Sequence, residues 1–149
     1  MFNRECVNKQ LRQVLLFHAI FSILDAVSTV IGLTYFEHTR ESNIVMSPIV
    51  DVLGTIPGMG VYLLLMAGIG SWIYFFNNLL HNQFTKIHVL ALGFPISGLW
   101  MTNVLRLTVV VNNLGQIISI PSFVSGDIDR LIMIPIGYMF GFIQYRMCN

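Results

Sequence analysis

The stretch that decides the fold is VLLFHAIFSILDAVSTVIGLTYF, residues 14–36, in which Asp25 is the only Asp, Glu, Lys or Arg. A helix of about 20 mostly apolar residues crosses the ~30 Å hydrocarbon core of a bilayer. Arg4, Lys9 and Arg12 precede this run, as basic residues precede the core of a signal peptide. The run is too long for such a core, and no small-residue cleavage site ends it. We therefore predict an uncleaved first membrane span.

Three further apolar stretches follow, at about residues 59–80, 87–111 and 129–146. The last is the shortest, and the arginines that bracket it, Arg130 and Arg146, can extend to the two membrane surfaces. Long continuous apolar runs are typical of membrane helices and not of barrel strands. The sequence predicts an all-α fold, a polytopic transmembrane helix bundle of four spans in a single domain, residues 1–149. A short apolar segment at 45–54 is predicted to lie along the membrane surface, with Asp51 toward water.

The overall composition favours the same class. Hydrophobic residues make up 55% of the chain and charged residues 10%, against the roughly 25% charged residues of soluble domains. A soluble fold of this size cannot cover so much apolar surface with polar groups, whereas a bilayer removes that requirement. The net charge of +1 offers no basic surface for nucleic acid.

The distribution of Lys and Arg predicts the orientation. With four spans both termini share one side, and that side would carry five basic residues against two on the other. The positive-inside rule then places both termini in the cytoplasm of a cell with an inner membrane. In that compartment Cys6 and Cys148 are expected to stay unpaired thiols. The five basic residues are Arg4, Lys9, Arg12, Lys86 and Arg146, and the two are Arg40 and Arg130.

Polar residues inside the predicted spans form the candidate site. Those of the first span recur at intervals of four, three and four, which puts them on one helix face. We expect Asp25 to face Arg106 of the third span, because charges inside a membrane are costly unless paired or hydrated. This network either locks the helices together, serves as a proton relay or a substrate contact, or pairs with another chain. Its members are His18, Ser22, Asp25, Thr29, Asn103 and Arg106.

Histidines and glycines give two further hypotheses. His18 with His81 or His88 could hold a haem or a metal, although solvated interfacial histidines explain the same pattern and no metal-ligand spacing is present. No catalytic motif is recognised. Gly137 and Gly141 form a GxxxG pattern, which predicts a close helix contact within the chain or with a partner.

The segment LDAVST (residues 24–29), Gly32, Glu41-x-Asn43 and VVVNNL (residues 109–114) are similar to motifs of an uncharacterised family of small multi-span prokaryotic membrane proteins. That family resembles this chain in an Asp and a Thr of the first span followed by Glu-x-Asn-Pro, where this chain has Ile44 in place of Pro. The resemblance implies a membrane bundle without an assigned activity. It singles out Asp25, Thr29, Glu41 and Asn43, at the outer end of the first span.

The leading functional hypothesis is a non-enzymatic subunit that packs against larger membrane proteins or against itself, because the loops are short and no catalytic constellation is recognised. The first alternative is a small oligomeric transporter or an ion- or proton-conducting bundle that uses Asp25, Arg106 and His18. The second alternative is a haem- or quinone-binding membrane subunit.

Overall fold

The structure is a computed structural model that describes residues 4–35, 46–83, 88–117 and 127–148. Within them the chain is 97% helical and forms five helices, so the all-α prediction is confirmed. The helices are α1 (Arg4–Tyr35), α2 (Met46–Leu53), α3 (Thr55–Gln83), α4 (His88–Ile117) and α5 (Asp127–Arg146).

The helices match the predicted spans in order but are longer. α1 begins ten residues before the apolar run, because the preceding Glu, Lys, Gln and Arg residues are good helix formers and continue the helix into polar sequence. Two segments of the described chain, Glu5–Tyr35 and Thr55–Asn77, are long and apolar enough to cross a membrane. The apolar part of α5, Ile132–Gln144, is shorter. The two long segments agree with a membrane association.

Interhelical hydrogen bonds fix the direction of each long helix. Asn103 of α4 bonds Val14 of α1, and the later Asn113 bonds the later Ser28. The residue numbers thus rise together along both helices, so α4 is parallel to α1. His18 meets Met66 of α3, whereas the later Asp25 meets the earlier Tyr62, so α3 is antiparallel to α1. α5 is antiparallel to α4, since Trp100 bonds Gln144 while Met101 abuts Gly137.

This alternation produces an up-down-up-down bundle with both chain ends at one end. α1 and α4 pack together at its centre, with α3 mainly against α1 and α5 mainly against α4. Among the described residues α3 and α5 do not touch. The long helices therefore form a rhombus whose two outer corners are α3 and α5.

A tight hairpin joins α2 to α3. The chain turns at Gly54, whose φ of 84° favours glycine, and α3 starts at the next residue. Gly58 then lies in the first turns of α3, where a Cβ would come within 3.1 Å of the Val50 Cα. Glycine at this position lets α2 lie directly on α3, with Asp51 exposed.

Cys6 and Cys148 form a disulfide that joins the start of α1 to the turn after α5, with Cα atoms 5.6 Å apart. The prediction of two unpaired thiols was therefore wrong. Cysteines separated by 142 positions in sequence give no pairing signal of their own. They become neighbours because four alternating helices return the chain to its starting end. Removing a native disulfide commonly costs about 2–5 kcal/mol.

The GxxxG pattern forms a close helix contact within the chain. A Cβ added to Gly137 would lie 2.6 Å from the Met101 Cα, and one added to Gly141 would lie 2.6 Å from the Ser97 Cα. Real Cβ atoms do not approach backbone so closely, so the two glycines allow α5 to lie directly on α4. Ser97 is fully buried in this contact.

We predict that Gly141→Ala destabilises the bundle. The new methyl group must displace the α4 backbone, a strain of about 1–3 kcal/mol, which exceeds the ~1 kcal/mol that Ala gains over Gly in a helix. Gly68→Ala in α3 is the matched control, because nothing lies within 4 Å of its Cβ position. Unfolding followed by helicity in mixed micelles measures both. Equal stability of the two variants would show that α4 and α5 are not in this contact.

Candidate functional site

A set of buried and half-buried polar groups lies between α1, α3 and α4, in the middle of the bundle. We call it the polar core. Its side chains come from three helices because each helix presents a polar face toward the others, away from its exposed apolar face. The members are His18, Ser22 and Asp25 of α1, Tyr62 and Met66 of α3, and Asn103 and Arg106 of α4.

His18 occupies the centre and is 4% exposed. Its Nε2 lies 3.2 Å from the Met66 carbonyl oxygen, and its Nδ1 lies 2.9 Å from Nη1 of Arg106. A carbonyl oxygen can only accept and a guanidinium can only donate. His18 therefore holds its proton on Nε2 and accepts from Arg106 at Nδ1, so the ring is neutral.

Arg106 connects α4 to both of the other helices. Its Nη1 also donates to Ser22 Oγ at 2.9 Å, and its Nη2 contacts the Met66 sulfur. Ser22 in turn donates to the His18 carbonyl oxygen at 2.6 Å. The guanidinium is thus surrounded by neutral acceptors from α1 and α3, which replace part of the water that it loses on burial.

Asp25 binds a different partner from the one predicted. The Tyr62 hydroxyl donates to Asp25 Oδ2 at 2.7 Å. The contacts of the described residues include no direct ion pair between Asp25 and Arg106. The expected pair is therefore held apart, with Tyr62 bonded to the acid and His18 and Ser22 bonded to the base.

The two ends of the polar face of α1 are closed by asparagines of α4. Asn103, 0% exposed, donates to the Val14 carbonyl oxygen at 3.2 Å. At the other end Asn113 donates to Ser28 Oγ at 3.1 Å and lies 3.4 Å from Thr29 Oγ1. These bonds hold α1 and α4 in register over about 15 residues.

The structure thus brings all six predicted network residues to the interface of α1 with α3 and α4. Four others were missed, namely Tyr62, Met66, Ser28 and Asn113. A phenol inside an apolar span was a usable signal for Tyr62, whereas nothing in the sequence marks Met66. Glu41 and Asn43 lie outside the described residues, and so do the side chains of His81 and His88.

The geometry of the polar core suits a structural role better than a catalytic one. Ser22 donates to a carbonyl oxygen and receives a hydrogen bond from Arg106, so no base in the described core activates it as a nucleophile. Both His18 nitrogens already bond protein atoms, and axial ligation of a haem would break one of these bonds. Among the described residues, no three His, Cys, Asp and Glu side chains are grouped to hold a metal ion.

Comparisons with protein-family models, with curated proteins and with solved structures find no match to this chain. What the fold and the site define is a class: an all-α bundle with long apolar helices and a hydrogen-bonded polar core. The similarity of Asp25 and Thr29 to motifs of an uncharacterised membrane-protein family therefore stays a prediction of family membership.

We predict that Tyr62→Phe destabilises the bundle by about 1 kcal/mol, because it removes the hydroxyl donor of a partly buried carboxylate. Tyr35→Phe is the control, since Tyr35 is exposed at the end of α1, and it should stay within about 0.5 kcal/mol of the parent. A double-mutant cycle with Asp25→Asn isolates the pair. Additive losses in that cycle would mean that Tyr62 and Asp25 do not interact.

Proposed function

We propose that this chain is a multi-pass protein of the cell inner membrane that crosses the bilayer four times, through α1, α3, α4 and α5. We further propose that it is a non-enzymatic component that packs against other membrane proteins. The observation that carries the proposal is the apolar exterior of these helices, which a bilayer or a partner would cover. Large apolar side chains stand exposed along them, including Leu16, Ile20, Leu64, Trp72, Phe75, Met139 and Phe142.

The polar core supports a packing role over transport. Its hydrogen bonds run between α1, α3 and α4, and such bonds join helices inside membranes. His18, Ser22 and Arg106 are each engaged by protein atoms of a neighbouring helix. A conducting path would instead line a wet cavity with groups free to bind the ion.

The helix arrangement supplies a surface for a partner. α3 stands at one corner of the rhombus and packs mainly on α1 and α2, which leaves part of its surface open. Trp72 is 63% exposed and Phe75 is 64% exposed on α3. Aromatic side chains are frequent anchors of protein interfaces.

Two features bear on which side of the membrane the termini occupy, and they point in opposite directions. The Lys and Arg distribution favours the cytoplasm. The Cys6–Cys148 disulfide joins the chain ends, and disulfides persist in oxidising compartments while cytosolic thiols stay reduced. A covalent bond requires an oxidant at that end, whereas the charge rule is a statistical preference. We therefore propose that both termini face the oxidising side, opposite to the orientation predicted from the sequence.

For the partner, we expect the tagged chain to purify in mild detergent in a stoichiometric complex with another membrane protein. Phe75→Ala should weaken that complex about tenfold or more, as truncation of an interface anchor does. Phe142→Ala on the exposed face of α5 is the matched control and should leave the complex intact. A wild-type chain that stays alone and monomeric would refute the packing role.

For the orientation, Met147→Cys combined with Cys6→Ser and Cys148→Ser leaves a single thiol close to the chain end, at a position whose native side chain is 77% exposed. A membrane-impermeant maleimide should label this thiol in intact spheroplasts, since the proposed side is open to the reagent. Labelling only after permeabilisation would place the termini in the cytoplasm and restore the orientation of the charge rule.

A further inference from the structure

An open groove of about 720 Å³ runs between α1 and α3. Small residues form much of its wall, and glycine at position 70 leaves room beside Leu15 and His18. α3 packs on α1 less extensively than α4 does. An apolar ligand in the groove would add van der Waals contacts between α1 and α3. The residues that matter for its shape are Ala19, Gly60, Ala67, Gly70, Ser71 and Tyr74.

The groove has hydroxyl groups at one end and mostly aliphatic side chains along the rest of its length. His18 and Ser22 line its middle, but their polar atoms bond protein atoms. From Gly60 to Tyr74 it extends about 21 Å along α3, at 1.5 Å per residue. The interior is lined by aliphatic side chains such as Leu63, Leu64 and Ile23. Ser71 and Tyr74 lie toward the end of the bundle that holds the chain termini, and neither hydroxyl bonds another of the described residues.

A cation stands at the same end. Leu15 and Ala19 line the groove, and Arg12 lies one turn earlier on the same face of α1, since residues three and four apart are neighbours on a helix. Arg12 is exposed and forms no ion pair with the described residues. It lies beyond the apolar run of α1, at the depth where a long basic side chain reaches the membrane surface.

We propose that this groove binds one anionic glycerophospholipid, with an acyl chain along α3 and the phosphate at Arg12, Ser71 and Tyr74. The ~21 Å length exceeds half of a ~30 Å hydrocarbon core, so one acyl chain fits along it. The groove has a cation and hydroxyls at the membrane surface and aliphatic walls beneath. These match the anionic headgroup and the acyl chain of the lipid. This inference rests on the proposed membrane location and not on a protein partner.

The groove has the size of a small-molecule site, because its volume of about 720 Å³ lies within the range of about 300–1,000 Å³ that such sites occupy. A quinone would need a donor deep in the groove, and the Nε2 proton of His18 there already binds the Met66 carbonyl oxygen.

The test is native mass spectrometry of the full chain in mild detergent, delipidated and titrated with phosphatidylglycerol or with phosphatidylcholine of the same acyl chains. We expect one phosphatidylglycerol per chain, bound about fivefold more tightly than phosphatidylcholine, as one basic residue near a membrane surface contributes. Arg12→Gln should remove that preference, and Ala67→Phe should abolish both adducts by filling the groove.

Two matched variants control for charge and bulk. Arg146→Gln removes an exposed arginine close to the same chain end, and Ile69→Phe enlarges an exposed side chain of α3 outside the groove. Both should bind as the parent does. Arg12 is exposed, so its replacement tests the site even where Ala67→Phe does not fold.

Three outcomes would overturn the proposal: equal binding of the two lipids, adducts unchanged by both groove variants, or a dimer that Ala67→Phe dissociates. Co-purification of a quinone in place of phospholipid would overturn it as well. A chain that is soluble without detergent would instead refute the membrane location, so the two failures are distinguishable.

Discussion

The Arg106 guanidinium is the group on which the interior of the bundle depends. It bonds His18 and Ser22 of α1 and contacts Met66 of α3, so one side chain links three helices. A buried cation is tolerated only where neighbouring groups replace its water. The acceptors on α1 and α3 replace that water only when both helices have the right rotation and height relative to α4. Arg106 therefore also fixes the register of the three helices.

That constraint explains why the acid in the same core does not pair directly with the base. Asp25 lies two turns along α1 from His18 and accepts from Tyr62, while Arg106 is held at the level of His18 and Ser22. The opposite charges still balance, because Coulomb attraction acts over several ångströms at low dielectric. The helices are thus joined by hydrogen bonds from each charged group to a neutral partner on a neighbouring helix, with Asp25 on α1 and Arg106 on α4.

Much of this was predictable from sequence. Apolar runs and their spacing gave the all-α class, the order of the long helices and the polar face of α1, because hydrophobic periodicity depends on local chain geometry. The Tyr62–Asp25 bond and the disulfide were not predictable, because each depends on which residues of separate helices come to the same height. The Gly137 and Gly141 pattern was recognised, but whether it faced α4 or another chain required the packed structure.

The long sequence separation of the bonds to Arg106 has a consequence for biogenesis. The residues of α1 that bond this arginine precede it by 84 and 88 positions. At a synthesis rate of about 5–20 residues per second, α1 waits roughly 4–18 s for its partner to leave the ribosome. In the proposed membrane location, His18 and Ser22 would face lipid or the lateral opening of the insertion machinery without Arg106 throughout that interval. A helix with this polar face would gain from staying beside the translocon until α4 arrives, and early release into the bilayer would be the step at which assembly fails.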